Sequence, residues 1–140
     1  MKRARPEAAN AAYEFPIVRI AGAPDNQAFY SHKGIVKDHN VEGNIDAELV
    51  PSIAWPIPMT VQSTGGKPPY IPDLLTTTDT NEPYLTSLTY ELAQDNLPDV
   101  LSTSYGDDEQ TVPESYAKRV CSGYAQLGAR GISVLFSSGK

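Results

Sequence analysis

Two apolar runs separated by one amphipathic segment occupy the chain between residues 98 and 136. The runs "PDVLSTSYG" and "ISVLF" are rich in strand-forming residues. The apolar positions between them recur at helical spacing, at Tyr116, Val120, Tyr124 and Leu127. Strand, helix and strand within about 40 residues predict a parallel βαβ unit, and the apolar last run indicates a strand buried on both faces. The turns "SYGDDEQ" and "SSGK" would then share the carboxyl edge of a sheet, where α/β proteins bind ligands.

Weaker signals place the remaining strands and one long loop. Residues 14–22 and 56–64 are predicted to form short strands, the first closed by Gly22. Residues 65–81 hold two glycines and three prolines and are predicted to form a surface loop.

Three helices are expected, each with its own boundary signals. The first starts at Val41 and carries apolar residues at helical spacing at Ile45, Leu49 and Ile53, and Pro51 should kink or end it. The second, with Leu85, Leu88 and Leu92, takes Asn81 as its N-cap. For the third, Thr111 and Glu114 have capping-box spacing and Gly128 marks the end. The turn before it is acidic, with Asp107, Asp108 and Glu109.

The composition favours one globular domain of 140 residues, 40% hydrophobic and 20% charged, behind a weakly ordered lead-in at residues 1–13. A formal charge of −6 argues against nucleic acid as a partner. The basic cluster at Lys2, Arg3 and Arg5 is followed by no apolar stretch, so neither a signal peptide nor a membrane span is predicted.

Glu42 and Asp46 are four residues apart on the first predicted helix. Their Cβ atoms should therefore lie on one face, roughly 5–6 Å apart. Two carboxylates at this distance repel, so one tends to hold a proton while the other stays ionised, as acid and base chemistry requires. The alternative is a solvated acidic helix face, which the spacing alone favours because acidic pairs at this spacing are common.

Other candidate groups point more weakly to chemistry. His32, His39 and Asp38 do not have helical metal-ligand spacing, so no metal site is predicted. The "TGGK" at residues 64–67 lacks the residues that a phosphate loop needs on either side. Cys121 falls beside the apolar stripe of the third helix and is expected to be a packed thiol.

Four segments, in this order, resemble the fungal sedolisins, the serine-carboxyl peptidases that include the acid tripeptidyl peptidases. They are "VEGNID" (41–46), "PIPMTVQSTGG" (56–66), "PDVLSTSYGDDEQTVPESYAKRVC" (98–121) and "LGARGISVLFSSG" (127–139). The resemblance covers residues 14–139. It implies an incomplete subtilisin-like three-layer α/β fold over residues 14–140, with a mainly parallel sheet and helices on both faces.

The resemblance also implies roles for single residues. Glu42 matches the family's general base to a serine, and Asp46 matches the aspartate that orients it. The backbone of Ser104, Tyr105 and Gly106 matches the edge that pairs with a peptide substrate.

Lys140 stands where the family has the aspartate that stabilises the oxyanion. No segment resembles the motif of the nucleophilic serine, nor the family's calcium site, so we expect no cofactor and no peptide cleavage by this chain alone. By resemblance, the parent would be a secreted protein that binds peptides.

Three interpretations stay open. The chain is a peptidase fragment, or a non-enzymatic interaction module that recruits other chains through an exposed sheet edge, or it is completed in trans by a fragment that carries the serine. Neither of the first two interpretations predicts hydrolysis near pH 4. The state of association in solution separates them, since a binding module should be monodisperse, whereas a fragment should self-associate through its exposed edge.

Overall fold

The structure, a computed structural model, describes residues 5–10, 14–25 and 41–137. Its helices are α1 (Pro6–Asn10), α2 (Val41–Ala54), α3 (Tyr84–Leu92) and α4 (Glu114–Ala129), with a 3₁₀ turn at Glu109–Thr111. Its strands are β1 (Ile17–Ile20), β2 (Val61–Thr64), β3 (Val100–Thr103) and β4 (Ser133–Phe136). Helices mixed with short parallel strands confirm the predicted α/β class. The subtilisin-like layering stays a prediction.

The chain divides into two compact units. The first holds Met1–Arg19 and Pro24–Ser63, and the second holds Ile20–Ala23 and Thr64–Lys140. Within the predicted lead-in, α1 buries Ala8, and the predicted boundary after residue 13 stays a prediction. No helix in the described ranges is long and apolar enough to cross a bilayer.

Helix α2 contains the proline that was expected to disturb it. The helix continues through Pro51, whose side chain is fully buried, and ends at Ala54. The helix therefore does not end at this proline, which was one of the two predicted outcomes, but about one turn after it. The apolar residues that predicted this helix, Ile45, Leu49 and Ile53, are all exposed.

Strands β1 and β2 pair with each other. The Val61 N–H donates to the Pro16 carbonyl at 3.0 Å, and the Gly65 N–H donates to the Ile20 carbonyl at 2.9 Å. Both bonds advance in the same direction along both strands, so the pair is parallel. The chain turns after β1 at Gly22, which has a φ of 70° and is the predicted end of this strand.

The predicted βαβ unit is confirmed in the second unit. Strands β3 and β4 are parallel, with Val100 opposite Ser133 and Thr103 opposite Phe136. Helix α4 connects them, and its Leu127 is completely buried. Helix α3 packs against α4.

The predicted helix N-terminal caps are wrong. The Thr111 hydroxyl lies 3.0 Å from Asn81 Oδ1 and 2.6 Å from the Asp108 carbonyl. Asn81 Nδ2 donates to the Thr111 carbonyl at 3.2 Å. Helices α3 and α4 instead begin after prolines, without side-chain cap hydrogen bonds. Asn81 and Thr111 bond each other across 30 residues of sequence because both are buried and need internal partners.

The predicted end of α4 is also displaced. Gly128 lies inside the helix, which runs to Ala129, and the left-handed position is Gly131, with a φ of 87°. Arg130 caps the C-terminal end of α3, because its guanidinium donates to the carbonyls of Leu92 and Gln94 at 3.0 and 2.6 Å. A cation suits this position, since helix C-termini carry partial negative charge.

One face of the β3–β4 sheet is exposed, contrary to the predicted burial of the last strand on both faces. Val100 is 52% exposed and Leu135 is 55% exposed, whereas Val134 is half-buried. Side chains of a strand alternate between faces, and α4 packs against β4. Within the second unit, therefore, only one face of the sheet is covered by helices.

Candidate functional site

Helix α2 places the backbones of Glu42 and Asp46 one turn apart, in the first unit. Asp46 is half-buried, and only the backbone of Glu42 is described. The predicted helix that carries this pair is therefore present. The catalytic roles of the two carboxyl groups stay predictions.

The predicted substrate edge lies in the second unit, where β3 ends. The Ser133 N–H donates to the Asp99 carbonyl at 2.9 Å, and the Ser137 N–H donates to the Thr103 carbonyl at 3.1 Å. Successive residues of a strand direct their backbone groups to opposite edges. Odd-numbered residues of β3 therefore face β4, and Val100 and Ser102 direct their N–H and C=O groups to the other edge.

The segment after β3 is held at two points by residues just before and within α3. The Tyr84 hydroxyl donates to the Tyr105 carbonyl at 2.7 Å. Asp107 Oδ2 accepts a hydrogen bond from the Glu82 N–H at 2.7 Å. The acidic turn therefore binds the backbone ahead of α3, rather than only flanking its own helix as predicted. Ser104 is half-buried, and Tyr105 and Gly106 are exposed.

Three aromatic rings meet beside this segment. Phe136 lies edge-on to Tyr124 at 4.9 Å and to Tyr84 at 6.3 Å between ring centroids. Burial, followed by the negative charge of Asp107, raises the pKa of Tyr84 to about 12. Burial also raises the pKa of Tyr124. Both hydroxyls therefore keep their protons at acid and neutral pH, and the Tyr84 hydroxyl remains a donor.

An acidic cleft of about 220 Å³ lies between the start of α3 and the first turns of α4. Its walls include Tyr84, Tyr116 and Val120, and its rim includes Glu82, Asp107 and Cys121. Burial, and then the charge of Asp107, raises the pKa of Glu82, while Lys67 opposes the shift. The prediction that the Cys121 thiol is packed in the interior is wrong, because Cys121 is exposed.

Sequence reasoning missed Tyr84, Glu82 and Asp107 as the residues that hold the predicted substrate edge. Their bonds join residues 21 to 25 positions apart. Local spacing carries no signal for such pairs. His32, His39, Asp38 and Lys140 lie outside the described residues. Among the described residues, no group of three His, Cys, Asp or Glu side chains is placed to hold a metal ion.

Comparison of the sequence with known proteins finds several relatives of this chain. Tripeptidyl-peptidase sed4 of Aspergillus fumigatus is 52% identical over 103 residues, which cover 70% of this chain and 17% of the relative. The chain is a homologue of the fungal sedolisin-type tripeptidyl-peptidases. Tripeptidyl-peptidase SED2 of Arthroderma otae is 47% identical over 105 residues, or 71% of this chain and 18% of the relative.

A third sedolisin-type relative covers more of the chain. The probable tripeptidyl-peptidase SED4 of Arthroderma benhamiae is 41% identical over 121 residues, which cover 79% of this chain and 20% of the relative. The chain therefore spans about a fifth or less of the length of these relatives. No protein-family profile matches the chain. No solved structure matches it either.

Proposed function

We propose that this chain is part of a serine-carboxyl peptidase that hydrolyses peptides, and that it carries the peptide-binding edge and two of the active-site carboxyl groups. The observation that carries this proposal is the 52% identity to a tripeptidyl-peptidase over 103 residues. Helix α2 holds Glu42 and Asp46, and the proposed substrate residues Ser104, Tyr105 and Gly106 directly follow strand β3.

Glu42 is proposed to act as general base to a serine, and Asp46 to orient it. The family motif puts these two carboxyl groups four residues apart, and α2 is helical at both positions. A helix brings such residues onto one face, so one carboxyl group can hold the other in place. This arrangement parallels the aspartate and histidine of other serine peptidases.

The edge of β3 that faces away from β4 is proposed to bind the substrate as an added strand. Val100 and Ser102 direct their N–H and C=O groups to this edge, and Ser104 and Gly106 follow after the end of β3. Backbone pairing recognises an extended peptide of almost any sequence, since the hydrogen bonds come from the main chain.

The 140-residue chain is proposed not to turn over peptides by itself. It has no segment that resembles the nucleophile motif, and the residue at the family's oxyanion position is Lys140. Loss of the nucleophile of a serine peptidase lowers kcat by about six orders of magnitude in a well-studied case. Incubation with a fluorogenic tripeptide near pH 4 should therefore release no more fluorophore than buffer does, and clear release contradicts this part of the proposal.

The two carboxyl groups are tested by grafting. Residues 14–139 of this chain replace the corresponding segment of the Aspergillus relative. Position 140 keeps the relative's residue, so the chimera does not carry Lys140. The peptidase activity of the chimera is assayed near pH 4. Glu42→Gln and Asp46→Asn should each lower kcat at least about 1,000-fold. Glu48→Gln, on the same helix, is the control. Full activity in both amide variants overturns the proposed roles.

A second candidate function is suggested by the exposed sheet face. Val100 and Leu135 are about half exposed on strands that contain no charged residue and no proline. Such strands lack the usual protection against pairing with other chains. We propose that the second unit self-associates here, so Leu135→Lys should shift the sedimentation coefficient towards the monomer. Leu74→Lys, at a loop residue that is 98% exposed, should not. Equal sedimentation coefficients for the two variants contradict the proposed self-association.

A further inference from the structure

The carbonyl groups of β3 that face β4 follow a fixed spacing. Asp99 and Thr103 each accept a backbone hydrogen bond from the β4 side of the ladder. Because such acceptors recur at every second residue, the acceptor after Thr103 is the Tyr105 carbonyl. At that oxygen the donor is a side chain, the Tyr84 hydroxyl, at 2.7 Å. The Tyr84 hydroxyl therefore bonds the first carbonyl of this spacing after the end of β3.

The same side chain also contacts the other strand. The Tyr84 ring lies edge-on to Phe136, the last residue of β4, at 6.3 Å between centroids. Phe136 is held from its other side by Tyr124. Aromatic pairs in this geometry contribute beyond the area that they bury. Tyr84 thus fixes the ends of both strands, through its ring at one and through its hydroxyl at the other.

A second contact holds the chain two residues further on. Asp107 accepts from the Glu82 N–H, and Glu82 is itself two residues before Tyr84. Gly106, between the two anchored residues, has no atom within 4 Å of the position where a Cβ would lie. The segment is therefore anchored at Tyr105 and Asp107, with open space at the Cβ position of Gly106 between them.

We propose that Tyr84 is a positioning residue, whose hydroxyl bonds the Tyr105 carbonyl just after β3 and so holds residues 104–107 in the shape with which an extended peptide pairs. The inference rests on the proposed peptide binding at this edge of β3. It adds a residue that touches no substrate and acts only through the Tyr105 carbonyl. Since the pKa of Tyr84 is raised to about 12, the hydroxyl can donate at every pH at which the protein would be assayed.

The test removes one hydroxyl and keeps the ring. Tyr84→Phe leaves the contact with Phe136 in place but leaves the Tyr105 carbonyl without this donor. Tyr90→Phe is the matched control, since Tyr90 lies on the same helix and no hydrogen bond joins its hydroxyl to a described residue. The probe is a fluorophore-labelled hexaalanine peptide, and its affinity is read from fluorescence anisotropy. Thermal melting checks that each variant is folded.

We expect Tyr84→Phe to weaken peptide binding roughly 2- to 10-fold, as the loss of one hydrogen bond predicts, and Tyr90→Phe to leave it unchanged. The amide ¹⁵N shift of Gly106 should move in Tyr84→Phe alone, because this nitrogen belongs to the same peptide group as the Tyr105 carbonyl. Replacing Tyr84 by 4-aminophenylalanine, which restores an N–H donor, should recover the affinity.

The failures of the two proposals are distinguishable. A wild-type chain that does not bind the peptide overturns the proposed function, and this inference with it. A wild type and Tyr84→Phe that bind equally well overturn the inference alone. If Tyr84→Phe has a lowered melting temperature, the protein with 4-aminophenylalanine at position 84 provides the test. If that protein is folded and still binds the peptide weakly, the proposed role of the donor is also contradicted.

Discussion

Gly123 of α4 faces Leu88 of α3 so closely that a Cβ on residue 123 would lie 2.9 Å from Leu88 Cδ1. Both residues are buried, and Leu88 is only 2% exposed. The two helices therefore approach closely at a position that has no side chain. This contact fixes α4, and with it the two strands that α4 connects.

Replacing Gly123 by alanine sets two effects against each other. Alanine favours the helix by about 0.5–1 kcal/mol, but overpacking a buried contact typically costs about 1–3 kcal/mol. We expect Gly123→Ala to lower the free energy of unfolding by about 1 kcal/mol. Gly128→Ala is the control, because Gly128 lies in the same helix with open space around it. Urea unfolding should show this control stabilised, and equal gains in both variants would refute the steric account.

Arg130 should stabilise the end of α3 from the end of α4. Its guanidinium donates to two carbonyls at the end of α3, those of Leu92 and Gln94. Arg130→Ala should cost about 1 kcal/mol, which is typical for hydrogen bonds that end a helix. Arg130→Lys should recover only part of this, since an ammonium lacks the planar fork. Arg119→Ala, at an exposed position of α4, is the control. Equal melting temperatures for all four proteins contradict this prediction.

The buried Asn81–Thr111 pair is tested by a double-mutant cycle. Asn81→Ala removes a donor to the Thr111 carbonyl and an acceptor for its hydroxyl. Groups left unsatisfied in a buried site cost about 1–3 kcal/mol. The double variant Asn81→Ala/Thr111→Val should be less destabilised than the sum of its single variants. Additive losses, measured by urea unfolding, indicate that the two side chains do not interact.

The pH dependence of stability should reflect Glu82. Its pKa is raised above the usual 4.5 by burial and by Asp107 and Asp79, with Lys67 opposing. The folded protein therefore holds this proton to a higher pH than the unfolded chain does. The carboxyl group's stabilising contribution is complete below about pH 4.5 and is lost as the pH rises through the raised pKa.

Glu82→Gln should consequently melt above the wild type at pH 7 and close to it near pH 4. The difference at pH 7 should be less than about 1 kcal/mol, because Glu82 is only half-buried and solvent screens its charge. In a Lys67→Met background, Glu82 loses the positive charge that lowers its pKa. Glu82→Gln should therefore raise the melting temperature at pH 7 more in this background than in the wild type. An identical gain at both pH values contradicts the prediction.

The sequence predicted the part of the fold whose signals are local. The strands β3 and β4 and the helix between them followed from apolar spacing alone, because amphipathic periodicity reports which face of an element is covered. The same applies to α3 and to the loop at residues 65–81. Helix boundaries were less accurate, since Gly128 and Gly131 both satisfy the local rule for a helix end.

The errors concern pairs of residues that are distant in sequence. Thr111 and Glu114 have the spacing of a capping box, yet the Thr111 hydroxyl is used by Asn81, 30 residues earlier. Cys121 lies beside an apolar stripe but borders an open cleft. Glu42 and Asp46 were recognised as a candidate pair only through the family motif, because their spacing alone favours a solvated helix face.

The central proposal for this chain is that the edge of β3 opposite β4 pairs with an extended peptide. Two N-methylated forms of the labelled hexaalanine peptide test it, one methylated at residues 2 and 4 and the other at the consecutive residues 3 and 4. An added strand directs alternate amides to the protein. The unmodified peptide and the 2,4-form, which keeps one free edge, should therefore bind, whereas the 3,4-form carries a methyl group on each edge and should bind at least about 10-fold more weakly. Equal binding of the two methylated forms would contradict this proposal, as would an unmodified peptide that does not bind.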